Sequence, residues 1–454
     1  EIMVGGVGDI DLAGNVRNRL NWAPRIGVTY QVDDRTVIRG GYGRSYDIGV
    51  FGSLFGHSVT QNLPVLAVQE LNAPSSFDRV FTLAQGPTPP TFPEVPANGR
   101  FPLPNGVFSR ALPEQQRPPT VDAFNITVQR QLSNVMSFEI GYVGNRGRDV
   151  FAGDGPAVNV NDPTLEGYLD GVPRNERRPF FSGRFRTRVG NYGGPFGWTQ
   201  GIDFFCNCAN NWYDALQTRF TKLFSDGYSL QVNYTWQSAR GEGAEYFFFD
   251  RALNKGPQDW DRTHIFNAML VWELPFGNDK RWGRDWSPAV NAILGGWQFN
   301  AAQTFQSGIP FNVSYRDAGA DRDVGPSRPN LIGDPTAGGG TRDRWFNTTP
   351  IGSPGSAFER PARGTFGNLP RNELRGPGYR RTDASLFKHI RFGRRDLEIR
   401  IEVVNLFNNV NLGNPDAEIG VPGNDNPNAG RINSTAFGNA DPQRNFQFGL
   451  KFSF

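Results

Sequence analysis

The 454-residue sequence predicts an all-β fold: part of a transmembrane antiparallel β-barrel, with long extracellular loops at one end and short periplasmic turns at the other. Three observations lead there. Near the end of the chain, Phe446, Phe448, Leu450, Phe452 and Phe454 alternate without a fault with Asn445, Gln447, Gly449, Lys451 and Ser453, the period of two that gives a strand one apolar and one polar face. Only 37% of the chain is hydrophobic, and no apolar run nears the length of a spanning helix. Spanning strands need no such run, because every second residue faces the lumen. Finally, the candidate strands are joined by two kinds of connection, brief and long, in strict alternation.

Taken in order, Pro24 to Val32 and Arg35 to Tyr46 flank the turn at Asp33 and Asp34, and a long proline-rich stretch runs on to about Pro119. Val121 to Leu132 and Val135 to Gly144 meet at Ser133 and Asn134, with Phe124, Ile126 and Val128 opposite Asn125, Thr127 and Gln129. A second long segment reaches about Asn211. Trp212 to Phe224 and Tyr228 to Ser238 then meet at Ser225-Asp226-Gly227, an Asp-Gly turn of the kind hairpins favour. Here Tyr228, Leu230, Val232, Tyr234 and Trp236 alternate with Ser229, Gln231, Asn233, Thr235 and Gln237.

After a loop of moderate length, Thr263 to Phe276 leads through a wider turn holding Asn278, Asp279 and Pro288 to a strand from Ile293 to Phe305. A loop rich in Gly, Pro and Asp follows to about Arg380. Arg381 to Phe392 and Leu397 to Phe407 join near Arg394 and Arg395, and a bulge is expected at Val403 and Val404, where the alternation blurs. A last loop carries the chain to Arg444 and the terminal strand.

Several unstructured connections of tens of residues would count against a compact soluble domain, whereas outer-membrane barrels have short periplasmic turns and long outer loops. Glu139, Gln217, Arg219, Glu398, Arg400 and Glu402 are costly against lipid and belong on the lumenal face. Tyr30, Tyr46, Trp236, Trp272, Trp297, Phe305 and Phe392 stand where interfacial girdles form. Eleven strands cannot close a wall of even strand number, and open edges in lipid leave backbone groups unsatisfied. Residues 1–454 are therefore expected to be the C-terminal portion of a barrel domain of about twenty-two strands. The chain opens on Glu1 without a charged-then-apolar leader, in keeping with a longer chain.

A net charge of +3 is too small to imply nucleic acid. Arginine far outnumbers lysine, which occurs only at 222, 255, 280, 388 and 451. Guanidinium pairs bidentately with phosphates such as those of lipopolysaccharide, and a GC-rich genome gives the same bias. Catalytic chemistry finds little support. His57, His264 and His389 are far apart in sequence, and neither a Gly-x-Ser-x-Gly elbow nor a phosphate-binding Gly-rich run occurs. No enzyme activity, cofactor or metal is expected.

Cys206 and Cys208, separated by Asn207, admit a loop disulfide, a bond to a cysteine elsewhere in a longer chain, or a soft-metal site. Asp317, Asp321 and Asp323 form either a solvated acidic loop or a calcium site. The triplet Asn312-Val313-Ser314 carries little meaning in a bacterial outer membrane.

Gln447, Gly449, Phe452 and Phe454 resemble the terminal signal read by the outer-membrane barrel assembly machinery. Further runs resemble the β-barrel of Oar-like TonB-dependent transporters: WAPRIGVTY at 22–30, TVIRGGYG at 36–43, VQRQ at 128–131, GYVGNRG at 141–147, YDALQ at 213–217 and YTW at 234–236. So do DRTH at 261–264, ELPFG at 273–277, GWQ at 296–298, QSGIPF at 306–311 and VNLFN at 404–408. The resemblance covers nearly the whole chain. It implies an outer-membrane receptor that moves a bulky ligand through a plugged barrel energised by TonB. The plug, the TonB-contacting segment and an N-terminal carboxypeptidase-regulatory-like module are not among these residues. The other readings are a structural or adhesive surface barrel, or a passive pore, that binds partners through its outer loops.

Overall fold

The computed structural model describes residues 2–10, 20–47, 62–63, 65–66, 79, 81–87, 94–101, 103, 105–111, 117–151, 158–184, 195–246, 249–278, 280–436 and 443–454. His57 and Asp279 lie outside them.

Eleven strands pair antiparallel in chain order into one sheet. They are β1 (Arg25–Asp33), β2 (Thr36–Tyr46), β3 (Thr120–Ser133), β4 (Met136–Phe151), β5 (Asn207–Ser225) and β6 (Tyr228–Glu242), followed by β7 (His264–Glu273), β8 (Trp297–Gln306), β9 (Tyr379–Phe392), β10 (Arg395–Val404) and β11 (Asn445–Ser453). A short piece, Lys255–Pro257, adds to the outer end of β6. Among the described residues β1 pairs only with β2, and β11 only with β10.

Cross-strand register turns the sequence alternation into two continuous faces. One hydrogen-bonded row runs Leu230, Leu270, Ala301, Ala384, Val403 and Phe446 from β6 to β11. Another, on the opposite face, runs Gln129, Glu139, Arg219, Asn233, Asn267, Thr304 and Arg381 from β3 to β9. The first face meets lipid, where a lysine or arginine at mid-depth would cost about 2–4 kcal/mol; the second faces the lumen. A one-residue slip in any strand would exchange the two. Two lysines sit in the lipid-facing register near the periplasmic end and bend their amines onto turn carbonyls. Lys222 Nζ donates to Ser225 O at 2.7 Å and to Tyr228 O at 3.0 Å, and Lys388 Nζ donates to Gly295 O.

Hairpins at 34–35, 134–135, 226–227 and 393–394 hold the periplasmic ends together. Asp226 and Gly227 both adopt positive φ, 51° and 83°, as a tight hairpin turn with the strands' own twist requires. Because that end is pinned, surplus strand length projects outward. β4, β5 and β6 have 16, 19 and 15 residues, against about 9–11 for a crossing.

Three expectations are corrected. Ile293 and Leu294 belong not to a strand but to helix α1 (Pro288–Leu294), whose N-cap Ser287 accepts a bond from Val290 N. β7 accordingly stops at Glu273 and β8 starts at Trp297. No bulge occurs at Val403 and Val404, which stay in register with Phe446 and Asn445. The strand simply ends there, because Asn405 turns left-handed at φ 53° and its Oδ1 accepts the Asn409 N–H at 2.9 Å. The described residues of the outer loops, finally, are not unstructured. Loops 307–378 and 405–444 share a core of Phe311, Val313, Phe346, Phe358, Leu369 and Ile419. Loops 47–119 and 152–206 share a smaller one of Leu103, Val158, Val160, Trp198, Ile202 and Phe204.

Candidate functional site

The larger outer lobe is built from two-residue ladders laid across its core. Pro310–Phe311 pairs with Leu374–Arg375, Asn330–Leu331 with Phe358–Glu359, and Ser314–Tyr315 runs parallel to Glu418–Ile419 of the neighbouring loop. Long polar ties bind this lobe to the other loops. Arg371 grips both carboxylate oxygens of Asp259 at 3.1 Å, while Arg328 reaches Glu245 at 3.3 Å and the Leu253 carbonyl at 2.9 Å. Arg177 donates to Asp323, and Arg375 to Asp261. Asp261 is buried and also accepts the Ala239 N–H at 2.7 Å, so the first residue of the DRTH run fastens loop to strand.

Arginine and aromatic rings alternate beneath this surface. The Arg328 guanidinium lies 4.2 Å over the Tyr246 ring, and that of Arg322 4.9 Å over Phe366, stacks that let guanidinium groups be buried with less loss of hydration. The Tyr315 hydroxyl, pushed up to about 12 by burial and by its bond to Asp321, stays neutral and donates at 2.7 Å.

The three aspartates of the acidic loop do not converge. Asp317 accepts from Asn424 Nδ2 at 2.9 Å, Asp321 holds Tyr315 and Arg360, and Asp323 holds Arg177. Asp321 and Asp323 are each paired with an arginine, and Asp317 stays exposed with an amide partner, so the three form neither a calcium cage nor a single solvated cluster. Sequence spacing also concealed a contact between strands. His389 stands opposite Glu398, and with Asp396 it is the one group among the described residues whose three ligand atoms fall within 4.8 Å. His389 Nδ1 already meets Asp396 at 3.0 Å, and Glu398 already takes Arg400, so the arrangement is an ion-pair network on the lumenal face. His264 lies apart, at the outer end of β7 beside Tyr234.

In the smaller lobe Cys206 and Cys208 are joined, with Cα atoms 5.3 Å apart, across the first residue of β5. Phe180, Phe196 and Trp198 stack beside them. Burial raises the carboxyls of Asp162 and Asp203 above the usual range against the opposing pull of Arg178 and Arg110. The proposed terminal residues Gln447 and Gly449 sit on the lumenal face of β11, opposite Glu402 and Arg400, while Phe452 faces lipid beside Leu397. Glu139, Gln217, Arg219, Glu398, Arg400 and Glu402 all share the lumenal face. Tyr46, Trp236 and Phe305 fall toward the outer rim, Trp272 and Trp297 toward the inner one.

A wall of spanning strands with an apolar outside, a polar inside, short turns at one end and folded loops at the other defines a β-barrel protein of the Gram-negative outer membrane. The chain belongs to the outer membrane beta barrel domain family, which it matches over residues 1–447. No curated protein matches it. Among solved structures it is similar to the siderophore receptor PirA from Acinetobacter baumannii, with 13% identity over 96% of this chain and 41% of that one and a TM-score of 0.42. It is also similar to the ferric-catecholate import receptor Fiu from E. coli K12, with 10% identity over 94% and 34% of the two chains and a TM-score of 0.39. A third is the ferripyoverdine receptor of the outer membrane of Pseudomonas aeruginosa, with 8% identity over 94% and 32% and a TM-score of 0.38. The chain spans about a third to two fifths of the length of these structures.

Proposed function

We propose that this chain is part of the barrel wall of a TonB-dependent receptor that moves a bulky ligand across the outer membrane. The observation that carries this reading is the uninterrupted polar row from Gln129 to Arg381 on a sheet whose first and last strands each have a single partner among the described residues. A lumen lined that way suits water or a polar plug, and further strands would close the wall to the width at which barrels hold one. The resemblance of the DRTH, ELPFG and VNLFN runs to Oar-like transporters adds the energy source, TonB, reached through a segment outside these residues. On this reading the barrel assembly machinery inserts the protein by way of Gln447, Gly449, Phe452 and Phe454, lipopolysaccharide surrounds its outer rim, and no catalytic step takes place.

The test is uptake in the native host. Deleting the full-length gene should abolish accumulation of one class of large solutes, and collapse of the proton-motive force should abolish it equally in the intact strain. Steady ohmic conductance of the purified full-length protein in planar bilayers, with uptake indifferent to energy, would replace the transporter by a passive pore. The size of the folded outer cap supports an adhesive surface barrel as the second reading, which predicts loss of cell attachment with uptake unchanged.

A further inference from the structure

A groove of about 550 Å³ opens on the lipid-facing side of the wall at the outer ends of β7, β8 and β9. Its floor is the ring pair Phe266 and Phe305, centroids 6.0 Å apart, and its sides are His264, Arg380, Val410 and Asn411. His264 is fixed by the Tyr234 hydroxyl, 2.8 Å from Nδ1. Val410 is 70% exposed.

Two polar features make this more than an apolar hollow. Arg380 is exposed and makes no ion pair among the described residues, unlike Arg44, which pairs with Asp122, and Arg146, which pairs with Asp214, both at 2.7 Å. Asn411 is almost wholly buried, spends Oδ1 on the Arg380 N–H at 2.8 Å, and leaves its Nδ2 donor without a partner. Depth agrees with a headgroup. Arg380 lies about thirteen residues, roughly 40 Å of strand, from the periplasmic turn at Gly393, which at a tilt of about 40° is a rise of roughly 30 Å, just beyond an apolar band of about 25 Å.

We propose that the groove is a binding site for a phosphorylated, acylated glycolipid of the outer leaflet, the lipid portion of lipopolysaccharide. An acyl chain lies along Phe266, Phe305 and Val410, a phosphate takes the Arg380 guanidinium in a two-point contact, and buried Asn411, which accepts the Arg380 N–H, fixes the backbone that carries that guanidinium. A zwitterionic phospholipid offers no net charge to hold the free cation. The site deepens the reading of lipopolysaccharide as the lipid neighbour and is independent of transport, which the assay does not measure.

Native mass spectrometry of the full-length protein, extracted from outer membranes in mild detergent, tests it. The wild type should keep at least one glycolipid copy, and Arg380→Gln should reduce its occupancy about tenfold or more. Arg380→Lys, which keeps the charge but not the fork, should fall between them. Arg391→Gln, at the periplasmic end of the same strand, should match the wild type. Heat-modifiable gel mobility confirms that each variant is folded. Equal occupancy in the wild type and Arg380→Gln, equal loss in Arg391→Gln, or displacement by inorganic phosphate or phosphatidylethanolamine as readily as by the glycolipid would overturn the proposal.

Discussion

Truncating Phe358 to alanine should loosen the outer cap and leave the wall intact. Phe358 is fully buried, packs edge-on to Phe346 with centroids 6.4 Å apart, and lies in the ladder with Asn330 and Leu331. A buried Phe→Ala change costs about 3–5 kcal/mol. Because the core holding Phe358 is made wholly of loop residues, that loss falls on the local opening of the lobe, not on the strands. At a factor of ten per 1.4 kcal/mol, the open lobe becomes about 150- to 4,000-fold more populated. Limited proteolysis on intact cells reads this directly. Cleavage within 307–378 and 405–444 should accelerate by that order, while heat-modifiable gel mobility stays that of the wild type. An unchanged cleavage rate would mean that the lobe is not held by this core, and loss of heat-modifiability would mean that cap and wall are one cooperative unit.

Removing one partner of the Arg375–Asp261 tie strands a buried carboxylate, so Arg375→Ala should destabilise the cap by about 3–5 kcal/mol. The double variant with Asp261→Ala should be less damaging than the sum, which a double-mutant cycle on cap proteolysis measures. In the smaller lobe the carboxyls of Asp162 and Asp203 are raised by burial. The folded lobe therefore binds more protons than the unfolded one, and its stability falls as pH rises from about 3.9 through the raised values. Protection factors in residues 158–184, which divide out the intrinsic pH dependence of amide exchange, should thus be higher in mild acid than at neutrality, and the same pH dependence of protection in Asp162→Asn and the wild type would refute the cause. Phe454→Ala in the full-length protein should lower the amount assembled in the outer membrane about several-fold, as quantified by surface labelling; normal surface levels would remove the assembly role.

The wall was legible because its physics is local. A strand between lipid and lumen must alternate, and Leu230 to Trp236 or Leu397 to Val403 carry that demand in the chain itself. Its errors fell where a stronger local signal competed. Ser287 and Pro288, an N-cap followed by proline at the first helical position, announce α1, but the apolar pair Ile293 and Leu294 reads equally well as the start of a strand. Asn405 similarly ends β10 with a left-handed residue inside an apolar run. The cap was not legible at all. Val313, Phe346, Phe358 and Ile419 are scattered among Gly, Pro and Asp without any period, and they meet only because distant loops fold over one another. The fate of Asp323 likewise depends on Arg177, 146 residues away.

Those long ties say how the outer surface behaves mechanically. Arg328 to Glu245, Arg316 to Glu418 and Arg371 to Asp259 join residues 83, 102 and 112 positions apart, so the loops they link are knotted to their neighbours and cannot wave as separate fingers. An antibody, a phage or a solute arriving from outside meets a stiff relief whose shape is common property. Change in one loop must be matched in another.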